Sequence, residues 1–118
     1  MQNFQNLLVW KKAHELALLT YRLTSDFPRE EAFGLRTTLR RTSVDIAAKI
    51  AEGCGKPNDA EFDGALLTAL GYSNRLEYFA LLSRDLAMMG EVPHTEYQAV
   101  ITETKKLVNG FRRRLVQE

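Results

Sequence analysis

Apolar side chains recur at three- and four-residue intervals along nearly the whole chain, the spacing of one face of an α-helix. Three prolines, Pro28, Pro57 and Pro93, cut this pattern into four stretches. The first predicts a helix over about residues 7–25, with Trp10, Ala13, Ala17, Tyr21 and Thr24 on one stripe and Leu16 and Leu23 widening it. Asp26-Phe27-Pro28 closes it, because the residue before a proline avoids the helical region. The second, over about residues 31–52, places Leu35, Leu39, Ile46 and Ile50 on one face, with the small residues Ser43, Ala47 and Ala51 beside them for close helix packing. Gly53 follows as a residue free to take the left-handed conformation that ends helices.

The third stretch, over about residues 59–89, has Asn58 or Asp59 as its N-cap and Gly90 as its stop. The fourth, over about residues 95–116, follows Pro93 and carries Tyr97, Val100, Ile101, Thr104, Leu107, Val108, Phe111 and Leu115 on one stripe. Sustained period-2 alternation and hairpin turns are missing from the sequence, so the fold class expected is all-α. Short connections between four long amphipathic helices predict an antiparallel up-down-up-down four-helix bundle, with residues 1–118 forming one domain.

The third helix departs from simple amphipathicity. Phe62, Ala69, Tyr72, Leu76, Phe79, Ala80 and Ala87 make a face sufficient for the core of a bundle. A second apolar row, Leu66, Leu70, Leu81 and Met88, lies about a quarter-turn away, with Leu67, Tyr78 and Met89 further round. Three other helices hardly cover both faces, so Leu66, Leu70, Glu77, Leu81 and Met88 are expected at an oligomer interface. The alternative is that the bundle buries this helix more deeply. Glu77 lies within the row and requires a basic or hydroxyl partner there.

Composition adds exclusions. Sixteen Lys plus Arg against fifteen Asp plus Glu leave a net charge of +1, so any basic patch is local. One cysteine, Cys54, forms no intramolecular disulfide, which suits a reducing cytoplasm. No apolar run approaches the ~18 residues of a membrane span, and the first residues lack the apolar core of a signal peptide. His14 and His94 have no second ligand at metal spacing and are expected at the surface. Neither Glu15 nor Glu77 has a companion carboxylate or histidine of the kind acid/base chemistry needs.

Gly53-Cys54-Gly55-Lys56 lacks the preceding strand, spacing and hydroxyl residue of a phosphate-binding loop and reads as an interhelical turn. Cys54 beside Lys56 is either a thiol of lowered pKa or an inert turn cysteine. The expectation is a protein without catalytic site, metal, cofactor or small-molecule substrate.

Basic residues gather in two places: Arg36, Arg40 and Arg41 on the second helix, and Lys105, Lys106, Arg112, Arg113 and Arg114 toward the end of the fourth. Lys105 with Arg112, and Lys106 with Arg113, stand seven apart and share a direction outside the apolar stripe. Such ridges serve either as solvated faces complementing the helix dipole or as a surface for the phosphates of RNA or DNA.

FQNLLVWKKA from Phe4 to Ala13, Phe27-Pro28 followed by Phe33-Gly34-Leu35, RRTSVDIAAKIAEGCGK from Arg40 to Lys56, and Glu61-Phe62 together resemble the four helix bundle protein family. Its members include proteins encoded by intervening sequences in large-subunit ribosomal RNA genes. The likeness covers essentially the whole chain. It implies a four-helix bundle assembled as a homopentamer, with no enzymatic activity or cofactor. A more distant likeness, to the accessory variability determinant proteins of diversity-generating retroelements, implies pentameric barrels with basic surfaces that engage nucleic acid. The chain departs from the family pattern at Lys49, Cys54, Tyr72 and Arg75. Ser73, one residue past the expected serine, points in another direction.

The function expected from all this is a non-catalytic, cytoplasmic homo-oligomer, pentameric by resemblance, contacting RNA or DNA through its basic ridges. The alternative is a protein-interaction scaffold that docks its partner on the exposed Leu8 and Leu19 or at the ring mouth.

Overall fold

A computed structural model describes residues 3–31 and 34–116. Phe33, part of the family likeness, lies outside the described residues. Four helices, α1 (Leu8–Leu23), α2 (Leu35–Gly53), α3 (Asp59–Asp85) and α4 (Glu91–Val116), carry the fold, with single 3-10 turns at Phe4–Asn6 and Arg29–Glu31. No strand occurs among the described residues. α1 packs on α2 and α4, and α3 does the same, while no backbone contact joins the diagonal pairs. The helices thus stand at the corners of a square, in a body of 46 × 22 × 20 Å. Cross-links between neighbours run in opposite order along the two chains, Arg22 to Glu96 but Lys12 to Glu103, and Asp63 to Arg112 but Glu77 to Lys105. The bundle is therefore antiparallel, as the short connections predict.

The core is built from Val9, Leu16 and Leu19 of α1, Leu39, Ile46 and Ile50 of α2, Phe62, Leu66 and Leu76 of α3, and Tyr97, Ile101 and Val108 of α4. On α1 the buried stripe is rotated from the one expected. Ala13, Ala17 and Thr24 are buried and Trp10 is half-buried, but Tyr21 is 46% exposed and Leu19 is buried. Thr20 and Thr24 occupy the core because each hydroxyl donates to the carbonyl four residues back, Leu16 and Thr20, at 2.8 Å. With its only proton committed to Leu16, Thr20 Oγ1 accepts the Tyr97 hydroxyl at 2.6 Å. Burial pushes the Tyr97 phenol well above its ordinary pKa, so it remains a neutral donor.

Helix ends differ from the expected ones for local reasons. α2 starts at Leu35, not near Glu31. The Glu31 carboxylate reaches forward to accept the Leu35 amide at 2.9 Å, standing in for the side chain that Gly34 lacks at the N-cap. At the other end Gly53 has no positive φ and belongs to α2 itself. Glycine is required there for space: a Cβ would stand 2.8 Å from the Phe62 ring and 3.0 Å from the Ala65 methyl. Asn58 caps α3, accepting the Glu61 amide at 2.9 Å and donating to the Glu61 carboxylate at 3.0 Å.

α3 stops at Asp85, four residues before the expected end. Ala87, with φ of 62°, makes the left-handed turn, Met88 N–H bonds Ser83 C=O, and Ala87 N–H bonds Arg84 C=O, the Schellman pattern. An alanine there costs about 1–2 kcal/mol relative to a relaxed backbone. The reversal folds Met89 back to plug the end of the core. α4 begins at Glu91 and takes Pro93 into its first turn, where amides have no intrahelical acceptor to lose.

Candidate interface residues

The second apolar row of α3 divides between core and surface. Leu66 is completely buried within its own chain and leaves the interface set. Leu70 and Met88 are half-buried against the core, and Met89 is buried. Deeper burial thus accounts for much of the row, because α2 and α4 wrap further around α3 than a single stripe requires. What stays outside is Leu81, joined by Leu67 and Tyr78, which are 49% and 58% exposed. Glu77 has the partner it needed: Lys105 Nζ stands 2.8 Å from its carboxylate. Tyr78, Leu81 and Glu77 share a groove of about 530 Å³ with Asn74 and Arg84 of α3 and with His94 and Gln98 of α4.

A second apolar surface lies on the other long side, between α1 and α2. Leu18, Tyr21 and Val44 are exposed there, with Trp10, Ala48 and Ala51, around a groove of about 420 Å³. Sequence reasoning missed it because its residues come from two helices and several had been assigned to core stripes. The available signal was Leu18 and Val44, apolar residues outside either stripe. Leu8 is exposed as expected, whereas Leu19 belongs to the core and offers no docking surface.

The basic residues do not form one site. Arg36, Arg40 and Arg41 lie at the end of the bundle where α2 begins, and Arg112 to Arg114 at the opposite end, where α4 finishes. Arg40 Nε donates to Thr24 Oγ1 at 2.8 Å and its Nη2 to the Tyr21 carbonyl at 3.2 Å, while the guanidinium covers the Tyr21 ring at 4.5 Å. Arg36 Nη2 donates to the Phe27 carbonyl at 2.6 Å. Both arginines therefore clamp the C-terminal end of α1 and the turn after it, where carbonyls lack intrahelical donors.

Arg112 grips the Asp63 carboxylate with two bonds of 2.7 and 3.2 Å, and this pairing holds its pKa above the ordinary value. With Lys105 on Glu77, four of the eight basic candidates are engaged inside the chain. Arg41, Lys106, Arg113 and Arg114 are exposed and form no ion pair among the described residues.

The residues of chemically reactive type are dispersed. His14 is exposed and stacks on Trp10 with ring centroids 4.9 Å apart. His94, expected at the surface, is only 7% exposed, because α4 starts earlier than Pro93 suggests and carries it onto the core-facing side. Its Nε2 is buried with no hydrogen-bond partner among the described residues. Burial raises the Cys54 thiol pKa, so of the two readings the inert one fits. Gly55 and Lys56 make the expected turn, their amides bonding Glu52 and Gly53 carbonyls. Lys12 bridges Glu15 and Glu103 at 2.8 and 3.1 Å, which occupies Glu15 in an ordinary surface pair. Among the described residues no three His, Cys, Asp or Glu side chains converge as metal ligands, and no helix is long and apolar enough to cross a membrane.

No curated protein matches this chain. A crystal structure of a protein of unknown function from the S23 ribosomal protein family of Bacteroides thetaiotaomicron VPI-5482 superposes with a TM-score of 0.79 at 22% identity, covering 89% of this chain and 98% of that one. At that identity the likeness concerns the fold. The model of the 23S rRNA-intervening sequence protein family matches residues 5–110, the four helices almost to the end of α4. The chain belongs to the 23S rRNA-intervening sequence protein family.

Proposed function

We propose that this protein is a non-catalytic helical building block that works as a homo-oligomer, pentameric as its family resemblance implies, and presents its free cations to RNA or DNA. One observation carries the reading: large apolar side chains remain exposed on two long sides of a bundle whose own core is already filled. Scattered surface leucines are ordinary, but Leu18, Tyr21 and Val44 line one groove on one side, and Tyr78 and Leu81 line another on the other. Light scattering at micromolar concentration tests it. A single mass several times the 13.5 kDa chain supports the reading, and a monomer overturns it.

The nucleic-acid part rests on fewer residues than the sequence suggests: Lys106, Arg113 and Arg114 at one end and Arg41 at the other. Assembly repeats each of them once per subunit, so weak phosphate contacts add through avidity. Affinity for structured RNA or duplex DNA should then fall steeply with salt, by a slope of about 0.9 per phosphate neutralised on B-DNA. Replacing Lys106, Arg113 and Arg114 with Gln should flatten that slope. An oligomer that binds neither nucleic acid at low salt removes this part of the reading.

A further inference from the structure

Resting on the nucleic-acid part of the reading above, we infer that the groove between α3 and α4 takes a splayed-out base of a single-stranded segment, whose phosphates lie along Lys106 and Arg113. Contact between copies is then left to the apolar side chains outside this groove. Its volume of about 530 Å³ falls within the roughly 300–1,000 Å³ of small-ligand clefts. α3 supplies its length: Asn74, Tyr78, Leu81 and Arg84 recur at spacings of four, three and three residues, one face of a helix. Their end levels stand about 15 Å apart. α4 closes the other side with His94 and Gln98.

The lining joins apolar surface to unused hydrogen-bonding capacity. Tyr78, 58% exposed, offers an aromatic face, and Leu81 an aliphatic one beside it. Asn74 makes no hydrogen bond among the described residues. Gln98 commits an amide N–H to Thr102 Oγ1 at 3.0 Å, which leaves its carbonyl oxygen to accept. His94 is only 7% exposed, and its Nε2 has no partner among the described residues. A buried imidazole nitrogen with nothing to bond is costly to keep, and on the wall of a groove it points to a ligand that supplies the bond. Glu77, the carboxylate of the groove, is neutralised by Lys105 at 2.8 Å, so an anionic strand meets little repulsion there.

Those groups select the chemistry of the occupant. An apolar side of a second copy would cover Tyr78 and Leu81 but shut Asn74, Gln98 and His94 away from water unpaired. A nucleobase satisfies both halves: its π-face stacks on the tyrosine ring, and its edge carries donors and acceptors in one plane. Paired bases present only their edges, so a ring lying on Tyr78 comes from an unpaired segment.

The cations continue the site along α4. Lys105 and Arg112 follow Gln98 by seven and fourteen residues, on the same side of the helix, and hold Glu77 and Asp63. Lys106 and Arg113 come one residue after each of these, about a quarter-turn round, and both are exposed without an ion pair among the described residues. They lie about 12 and 22 Å along α4 from Gln98, so a strand of a few nucleotides reaches both from the groove.

Fluorescence anisotropy of short labelled single strands, RNA and DNA, against a blunt duplex of equal length tests the site on the wild-type protein. The single strands should bind about tenfold tighter than the duplex at equal salt. Tyr78→Ala should weaken strand binding about tenfold through lost stacking, with the slope against salt unchanged, whereas Tyr78→Phe keeps the ring and the affinity. A mononucleotide should bind more weakly than the strand, because Lys106 and Arg113 lie beyond its reach. Asn74→Ala repeats the measurement if circular dichroism shows that Tyr78→Ala misfolds.

Strand and duplex bound alike, or Tyr78→Ala at wild-type affinity, overturns the base site and leaves the phosphate contacts standing. A mononucleotide that binds as tightly as the strand overturns the strand as occupant. A Tyr78→Ala variant that falls from an assembly to the 13.5 kDa monomer gives the groove to a neighbouring copy and overturns the site as well. A wild type that binds no nucleic acid at low salt overturns this inference together with the reading it rests on.

Discussion

The seam between α1 and α4 and the seam between α2 and α3 solve the same packing problem with different chemistry. Across α1/α4 a buried hydroxyl pair, Thr20 with Tyr97, sits between two surface bridges, Arg22 to Glu96 at 2.9 Å and Lys12 to Glu103 at 3.1 Å. Each link forms in one register only, so this seam sets how far α4 slides along α1. Across α2/α3 the defining feature is a missing atom. Gly53 brings the α2 backbone against Phe62 and Ala65 with no room for a Cβ. A polar seam specifies position through bonds that must be satisfied, and a close-packed seam specifies it through volume that must stay empty.

If that contrast holds, damage should rank by mechanism. Gly53→Leu forces a side chain into the Phe62 ring and should cost about 3 kcal/mol, read as a fall in the urea midpoint. Gly53→Ala should cost about 1 kcal/mol, the clash being offset in part by better helix propensity. A midpoint unchanged by the leucine would mean the seam is not close-packed.

Between these two in size comes Thr20→Val, which leaves the buried Tyr97 hydroxyl without an acceptor and should cost about 2 kcal/mol. Tyr97→Phe removes the same hydrogen bond but leaves Thr20 bonded to the Leu16 carbonyl, so its cost should be nearer 1 kcal/mol. The order of these two is the informative result, since a costlier Tyr97→Phe would reverse the donor assignment. Smallest is Glu96→Gln at the solvent-exposed end of the seam, at about 0.5 kcal/mol or less and fading with salt. A loss there as large as for Thr20→Val would show that the surface bridges, not the buried pair, hold α1 to α4.

Much of this architecture is legible in the chain itself. Period 3.6 and three prolines are enough for four helices, and Asn58 marks the start of α3. Helix ends are less legible. Gly90 looks like the stop of α3, yet the left-handed turn falls on Ala87, a residue type that carries no such signal. Gly53 is conspicuous for the wrong reason, its conformational freedom rather than its lack of volume. The polar candidates show the same limit. On a helical wheel Arg36, Arg40 and Arg41 form one ridge, and the wheel cannot show that the carbonyl end of α1 lies beside two of them.

Local pattern therefore determined what propagates through i to i+4 neighbours: helix existence, the apolar faces, and the presence of more apolar surface on α3 than one stripe needs. Only the tertiary structure decided how that surface is divided, sealing Leu66 inside and leaving Leu67, Tyr78 and Leu81 outside. It alone revealed the α1/α2 groove, which exists on neither helix separately. The reason is physical: periodicity gives the direction in which a side chain points, whereas burial and pairing depend on how far neighbouring helices wrap around it, and that distance is set by residues remote in the chain.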